Sequence, residues 1–273
     1  MDCLNNFIFR DEDRIVEKIK HFLDSGKEKI HLVLDFDRTL TESQNKLGEN
    51  VSTWEILKTH LPQNSQEGYQ ALYNKYRPLE LKNVMSLSDA VTWWEGILNL
   101  YKMNKLRCSD IANDIETRIP IRACVKELFK ICEEKNIPII IISAGIKDVI
   151  EMWCQKFSIK PSIILSTKLI FDSKGYIKGW DRSSLIHVLN KKEKGHKQIG
   201  KMRESRPNTI LVGDSVSDAR MVSGDENVLR IIVDDPRTDD ELDEEFYKDM
   251  FSKFDLVIRN KSLCPVIDIV KLF

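Results

Sequence analysis

The sequence predicts an α/β fold, a parallel β-sheet core covered by helices with a helical insertion near its N-terminal end. Short uninterrupted apolar runs occur at Ile30–Leu34, 138–142 and 209–212, as expected of strands buried on both faces. Each run leads into small or acidic residues: Asp35-Phe36-Asp37, Ser143-Ala144-Gly145 and Gly213-Asp214-Ser215. Helix-length patterns separate the runs, which makes the core Rossmann-like. In such sheets the crevice lies beyond the carboxyl ends of the strands, so these three ends are expected to meet.

The elements follow in order. Residues 11–24 carry Ile15, Ile19, Phe22 and Leu23 at helical spacing, with acids first and Gly26 after, which predicts an amphipathic helix. Weaker strand-like runs occur at 162–165, Val228–Val233 and Leu256–Ile258. Between the first two strands the texture changes: Trp54, Ile56 and Leu57, then Tyr69, Leu72, Tyr73 and Tyr76, then Val91, Trp94, Ile97, Leu98 and Tyr101 fit helical faces. The expected organisation is a core of residues 1–43 and 119–273, with a helical cap at 44–118 over the crevice. The acidic stretch 234–245 reads as a solvated loop entering a helix.

The 273 residues include 42 basic and 43 acidic side chains. That balance argues against a nucleic-acid polymer or a membrane surface as partner. No apolar run approaches the ~20 residues that span a bilayer, and the N-terminus does not read as a signal peptide. Cys3, Cys108, Cys124, Cys132, Cys154 and Cys264 form no CxxC pair, and several lie in apolar stretches where a free thiol packs as a small hydrophobe. These features predict a reducing compartment, the cytoplasm.

Asp35 and Asp37 lie two apart at a strand end, where both carboxylates can face one side. One can attack phosphorus while the other gives a proton to the leaving oxygen, and mutual repulsion raises the proton affinity of one member. An EF-hand is excluded because its sixth-position glycine is Leu40 and its twelfth-position glutamate is Lys46. Thr39 and Thr41 can hold phosphate oxygens or serve a turn. Ser143, with Ala144 and Gly145 at an expected helix start, offers an anion site or a simple cap. Asp214 and Asp218 supply hard oxygens suited to Mg2+, Asp218 through water or by orienting Asp214. One lysine of the run Lys191, Lys192, Lys194 and Lys197 is expected at the transferring phosphoryl group, and spacing does not single it out. Sequence signatures of P-loop NTPases, HExxH metalloproteases and GxGxxG dinucleotide binders do not occur.

In this order the motifs resemble those of the haloacid dehalogenase superfamily of phosphatases. Asp35-Phe36-Asp37-Arg38-Thr39-Leu40-Thr41 resembles the first motif, Ser143 the second, a lysine the third, and Gly213-Asp214-Ser215-Val216-Ser217-Asp218 the fourth. A nearer resemblance, almost end to end, is to the type III cytosolic 5′-nucleotidases that act on pyrimidine and 7-methylguanosine nucleotides. It rests on DRIVEKIKHFL, YRPLEL, TWWEG, SAGIKDVIE, IHVLNK, GDSVSDARM and FDLVIRNKSL. The resemblance implies Lys191 as the third-motif lysine, Glu80 as the cap residue that reads the base, and Trp93 or Trp94 beside the base. It also implies hydrolysis of nucleoside 5′-monophosphates through an aspartyl-phosphate on Asp35. Mg2+ would be held by Asp35, the Asp37 carbonyl and Asp214, with Asp218 behind, and Ser143 and Lys191 would sit on the phosphoryl group.

The chain departs from the family pattern at Arg38, where the family often has an apolar residue, and in the cap. Leu81-Lys82 follows Glu80 in place of an acid and proline; Thr92 replaces an acid, and Ile97 or Leu98 a small polar residue. Rival expectations are a phosphatase for another small ester, a phosphotransferase, a phosphoprotein phosphatase, or a silent nucleotide-binding protein. The expected assembly is a monomer.

Overall fold

The computed structural model describes residues 2–193, 195–235 and 244–273. The chain folds as α1 (Glu12–Ser25), β1 (Ile30–Leu34), α2 (Thr53–Lys58), α3 (Gln63–Leu81), α4 (Leu87–Met103), α5 (Cys108–Ile111) and α6 (Ile115–Arg118). It continues through α7 (Val125–Glu134), β2 (Ile139–Ile146), α8 (Lys147–Phe157), β3 (Ile163–Thr167), β4 (Leu169–Phe171) and β5 (Ile177–Trp180). The last elements are α9 (Lys197–Ser205), β6 (Asn208–Gly213), β7 (Val228–Val233), α10 (Glu244–Lys253), β8 (Leu256–Ile258) and α11 (Cys264–Lys271).

Six strands form one parallel sheet in the order β3-β2-β1-β6-β7-β8. Leu34 pairs with Ile141 on one side and Val212 on the other, so the carboxyl ends of β2, β1 and β6 lie side by side. The apolar runs are uninterrupted because alternate residues enter different cores. Leu32, Leu34, Ile139, Ile141, Ile210 and Val212 join the larger one. Val33, Ile140, Ile142 and Leu211 pack with Ile199 of α9, Met221 and Val222 in the smaller. Helix α1 begins where the Asp11 carboxylate accepts the Arg14 N–H and ends at Gly26, whose φ of 86° suits a residue without a Cβ.

Sequence periodicity left out the antiparallel hairpin β4–β5. Its strands are three and four residues long, and Ile177 N–H donates to Leu106 O at 2.8 Å beside the helical segment. Strand β2 runs four residues beyond the apolar run, to Ile146, so Ser143 lies inside a strand and not at a helix start.

The cysteine reading is corrected at one pair. Cys124 and Cys264 form a disulfide across 140 residues, their Cα atoms 5.2 Å apart, which a reducing-compartment reading does not anticipate. Such a pairing is invisible in sequence; the fold creates it by bringing the starts of α7 and α11 together, with Leu263 N–H donating to Ala123 O at 3.1 Å. Cys132 and Cys154 are buried free thiols, pushed up to about 12 by burial, and so are unreactive packing groups. The acidic stretch is corrected at Asp235, which is buried and bonded to Arg122 and Ser43. Residues 236–243 of that stretch lie outside the described residues, and α10 follows.

His31 sits fully buried in β1, and burial lowers its pKa to about 4 from 6.5. The native protein therefore binds fewer protons than the unfolded chain between about pH 4 and 6.5, and stability falls as pH drops through that window. The loss expected over this range is about 3 kcal/mol. Chemical denaturation at both pH values checks it: His31→Gln should lose less stability than wild type, and equal losses would contradict the assignment.

Candidate active site

The site begins where β1 stops. Asp35 N–H donates to Val212 O at 2.9 Å, extending the sheet contact into the loop. Phe36 turns inward, fully buried and edge-on to Trp153 with ring centroids 4.9 Å apart. Burying a phenylalanine contributes roughly 1.5–3 kcal/mol, so Phe36 anchors the loop from below. Its carbonyl accepts the N–H groups of Thr39, Leu40 and Thr41 at 3.2, 3.0 and 3.3 Å. Arg38 closes this turn with a left-handed φ of 65°. Arg122, buried to 1% exposure, ties the loop from outside: Nε donates to Thr39 O at 2.9 Å and an Nη to Arg38 O at 2.6 Å.

Asp35 is buried at 4% exposure on the floor of the cleft. Lys191 Nζ donates to Asp35 Oδ1 and, at 2.8 Å, to Asp218 Oδ1. The lysine is delivered by a locked turn in which His187 O accepts the N–H groups of Asn190 and Lys191, both at 3.0 Å, while Asn190 Oδ1 accepts His187 N–H at 2.7 Å. Asp218 Oδ2 accepts the N–H groups of Asp214 and Ser215 at 3.1 and 3.0 Å, so Asp218 shapes the loop after β6 as well as holding Lys191. Gly213 leaves room for this: a Cβ there would lie 2.4 Å from Asp218 Oδ2. Thr39 Oγ1 is within 3.4 Å of Asp35 Oδ2 and 3.3 Å of Asp214 Oδ1, linking those carboxylates.

Burial, with Asp218 and Asp214 nearby, pushes the Asp35 carboxyl well above its usual range, against the opposing pull of Lys191. Burial pulls the Lys191 ammonium down, but Asp218 and Asp35 overcome that and hold it above its usual value. Lys191 is therefore cationic throughout the physiological range.

Asp37 faces the same cleft but is held by the helical segment. Thr53 N–H donates to Asp37 Oδ1 at 2.8 Å and Thr53 Oγ1 to Oδ2 at 3.2 Å. On the β2 side, Ser143 Oγ accepts Gly145 N–H at 3.0 Å, and both residues line the cleft. A Cβ at Gly145 would stand 2.2 Å from Thr53 Oγ1 and 3.0 Å from Asp37 Oδ2. Only glycine admits this approach of the two segments.

The cleft, about 730 Å³ including its open mouth, is roofed by α2, α3 and α4. Trp54 and Trp94 both donate their indole N–H to Ala144 O, at 3.2 and 2.9 Å, fastening the roof to the end of β2. Trp93 stacks on Tyr76 with centroids 6.0 Å apart and meets Trp94 edge-on at 4.8 Å. Glu80 also lines the cleft, and its Oε2 accepts from Arg77 at 2.7 Å.

The structure thus gathers Asp35, Asp37, Lys191, Asp214, Asp218, Ser143, Ala144, Glu80, Trp93 and Trp94 around one cleft. Thr39 lies beneath, turned onto the carboxylates. Lys192 and Lys197 are exposed, and Lys194 lies outside the described residues. Sequence reading missed the functional neighbours Thr53, Arg77 and Arg122. Arg77, three residues before Glu80 on a helix, carried a usable signal; Thr53 and Arg122 reach their partners only through the tertiary fold.

Carboxylate oxygens of Asp35, Asp214 and Asp218 lie within 4.8 Å of one another. Hard oxygen donors in this number suit a divalent ion such as Mg2+, which needs few protein ligands. Three clustered carboxylates beside a buried ammonium are the kinds of group that phosphoryl-transfer chemistry uses.

The fold is that of the haloacid dehalogenase-type phosphatases. It superposes on cytosolic 5′-nucleotidase IIIB bound to cytidine with a TM-score of 0.80 and 23% identity, covering 98% of this chain and 93% of that one. It resembles a phospho-aspartyl intermediate analogue of phosphoserine phosphatase more distantly, with a TM-score of 0.59, 16% identity and coverage of 89% and 98%. A sequence model of the family described as Pyrimidine 5′-nucleotidase (UMPH-1) matches residues 38–272, and the chain belongs to this family of phosphate monoester hydrolases. Relatives include the 7-methylguanosine phosphate-specific 5′-nucleotidases of Homo sapiens, 28% identical over 82% of this chain and 79% of that protein, and of Drosophila melanogaster, 27% identical over 79% and 71%. A Caenorhabditis elegans relative, 26% identical, is named putative cytosolic 5′-nucleotidase 3. Among the described residues no helix is long and apolar enough to cross a membrane.

Proposed function

We propose that the protein is a Mg2+-dependent 5′-nucleotidase that hydrolyses pyrimidine or 7-methylguanosine 5′-monophosphates through an aspartyl-phosphate on Asp35. The observation that carries this reading is the buried Asp35, bonded to Lys191 and flanked by Asp214 and Asp218, at the floor of an aromatic-roofed cleft.

An Asp35 oxygen attacks phosphorus as the bond to the leaving 5′-oxygen breaks, and Asp37 gives that oxygen its proton. Asp37, steadied by Thr53, then takes a proton from water as the water oxygen attacks phosphorus, the Asp35–phosphorus bond breaks and phosphate leaves. Ser143 and Lys191 hold the phosphoryl oxygens, with Lys191 opposing the charge that develops on them. Asp35, the Asp37 carbonyl, Asp214 and Asp218 would hold Mg2+, which when bound offsets phosphoryl charge. Thr39 orients Asp35 and Asp214.

Residues 44–118 act as a cap over core parts 1–43 and 119–273. In it Trp93 and Trp94 offer apolar faces to a base, and Glu80 accepts hydrogen bonds from base N–H groups while Arg77 fixes its position. The protein works as a monomer in the cytosol; the relatives' names support the nucleotide substrate and the location.

Phosphate release from a panel of nucleoside 5′-monophosphates and simple phosphate esters, with Mg2+ and with chelator, tests the reading. Release concentrated on CMP, UMP or 7-methyl-GMP and abolished by chelator is expected. Release from unrelated esters alone would sink the nucleotidase assignment, and transfer of the phosphoryl group to an added nucleoside in place of water would mark a phosphotransferase.

A further inference from the structure

We infer that Arg38 is a resident cation of the metal site, whose guanidinium competes with a divalent metal ion for Asp214 and so sets the metal concentration at which the enzyme works. The inference rests on the reading of Asp35, Asp214 and Asp218 as the metal-binding carboxylates.

The ion pair itself is the first observation. An Arg38 Nη lies 2.9 Å from Asp214 Oδ2, with the side chains 12% and 3% exposed. A pair so far removed from water is screened little and holds its geometry, unlike a surface pair. Asp214 Oδ1 meanwhile faces Thr39 Oγ1 at 3.3 Å. Both oxygens of Asp214 are therefore engaged by adjacent residues of one loop, and a metal ion coordinated at Oδ2 must share or displace the guanidinium.

The second observation is that the base of the Arg38 side chain is fixed. Its N–H donates to Thr41 Oγ1 at 2.8 Å, its carbonyl accepts from Arg122 at 2.6 Å, and its backbone is left-handed. The guanidinium thus stays in reach of the same carboxylate and lines the same cleft.

Charge gives the third. The Asp35, Asp214 and Asp218 carboxyl groups meet both Lys191 and Arg38, so the cluster with Arg38 is one charge less negative than the cluster with Lys191 alone would be. A doubly charged cation gains less from the former, while a phosphate dianion is repelled less.

Isothermal titration of the full chain with MgCl2 tests the inference on wild type, Arg38→Met, Arg38→Gln and Arg38→Lys. Both neutral variants are expected to bind Mg2+ about tenfold tighter than wild type, whereas Arg38→Lys keeps the charge and stays within about threefold. Unchanged or weaker Mg2+ binding in whichever neutral variant folds would overturn it, as would tightening equal to theirs in Arg38→Lys. Tighter binding in a protein that releases no phosphate from nucleotides would uphold the role of Arg38 and reject the nucleotidase reading. Normal hydrolysis with unshifted isotherms would do the reverse.

Discussion

Asp35→Asn should abolish phosphate release, with kcat falling by about four orders of magnitude or more, because the amide cannot serve as the attacking oxygen. The replacement has nearly the same shape and sits in the same buried position, 4% exposed between Lys191 and Thr39. It removes one of three clustered carboxylates, which relieves like-charge repulsion, so the fold should be at least as stable as wild type. Phosphate release at saturating substrate, with a thermal melt on the same sample, checks both statements. A stable variant retaining activity within tenfold would place the nucleophile elsewhere.

Lys191→Met should damage both stability and rate. The ammonium is shared by Asp35 and Asp218, both buried, and its loss leaves two carboxylates without compensation. Breaking such a buried arrangement on one side costs about 3–5 kcal/mol. Loss of the cation facing the transferring phosphoryl group lowers kcat by a further 10²–10³-fold, on the order of a lost preorganised donor. Urea unfolding and steady-state kinetics of Lys191→Met read the two effects. Adding Asp218→Asn should recover part of the stability and none of the rate. Recovery of both would show that Lys191 acts only by balancing charge.

The parts of the site that follow strand ends were legible in the sequence for a physical reason. A strand buried on both faces is mostly apolar, so the first acidic residue after the apolar run marks the sheet edge. Asp35 and Asp214 announced themselves this way, whereas Ser143 was found although β2 continues past it. The choice of Lys191 among its neighbours was not available from spacing, because His187 and Asn190 fix that lysine through loop hydrogen bonds. Thr53 and Arg122 are further from legibility: each meets the loop that follows β1 across the fold, at separations of 16 and 83 residues. The Cys124–Cys264 bond was hidden for the same reason. In the roof, helical periodicity identified Trp94 and Tyr76 but could not distinguish a ring packed in the helical core from one lining the cleft; Trp93 and Trp94 do both. Glu80 was singled out only by the family resemblance, and in the structure it lines the cleft tethered to Arg77, a pairing the resemblance did not include.

Covalent transfer to Asp35 is open to test by rapid acid quench during turnover of the preferred nucleotide, followed by proteolysis and mass spectrometry. A transient phosphoryl adduct is expected on the peptide carrying Asp35, present in wild type and missing from Asp35→Asn. Full hydrolysis with no adduct at any quench time, or an adduct on another residue that survives in Asp35→Asn, would contradict it.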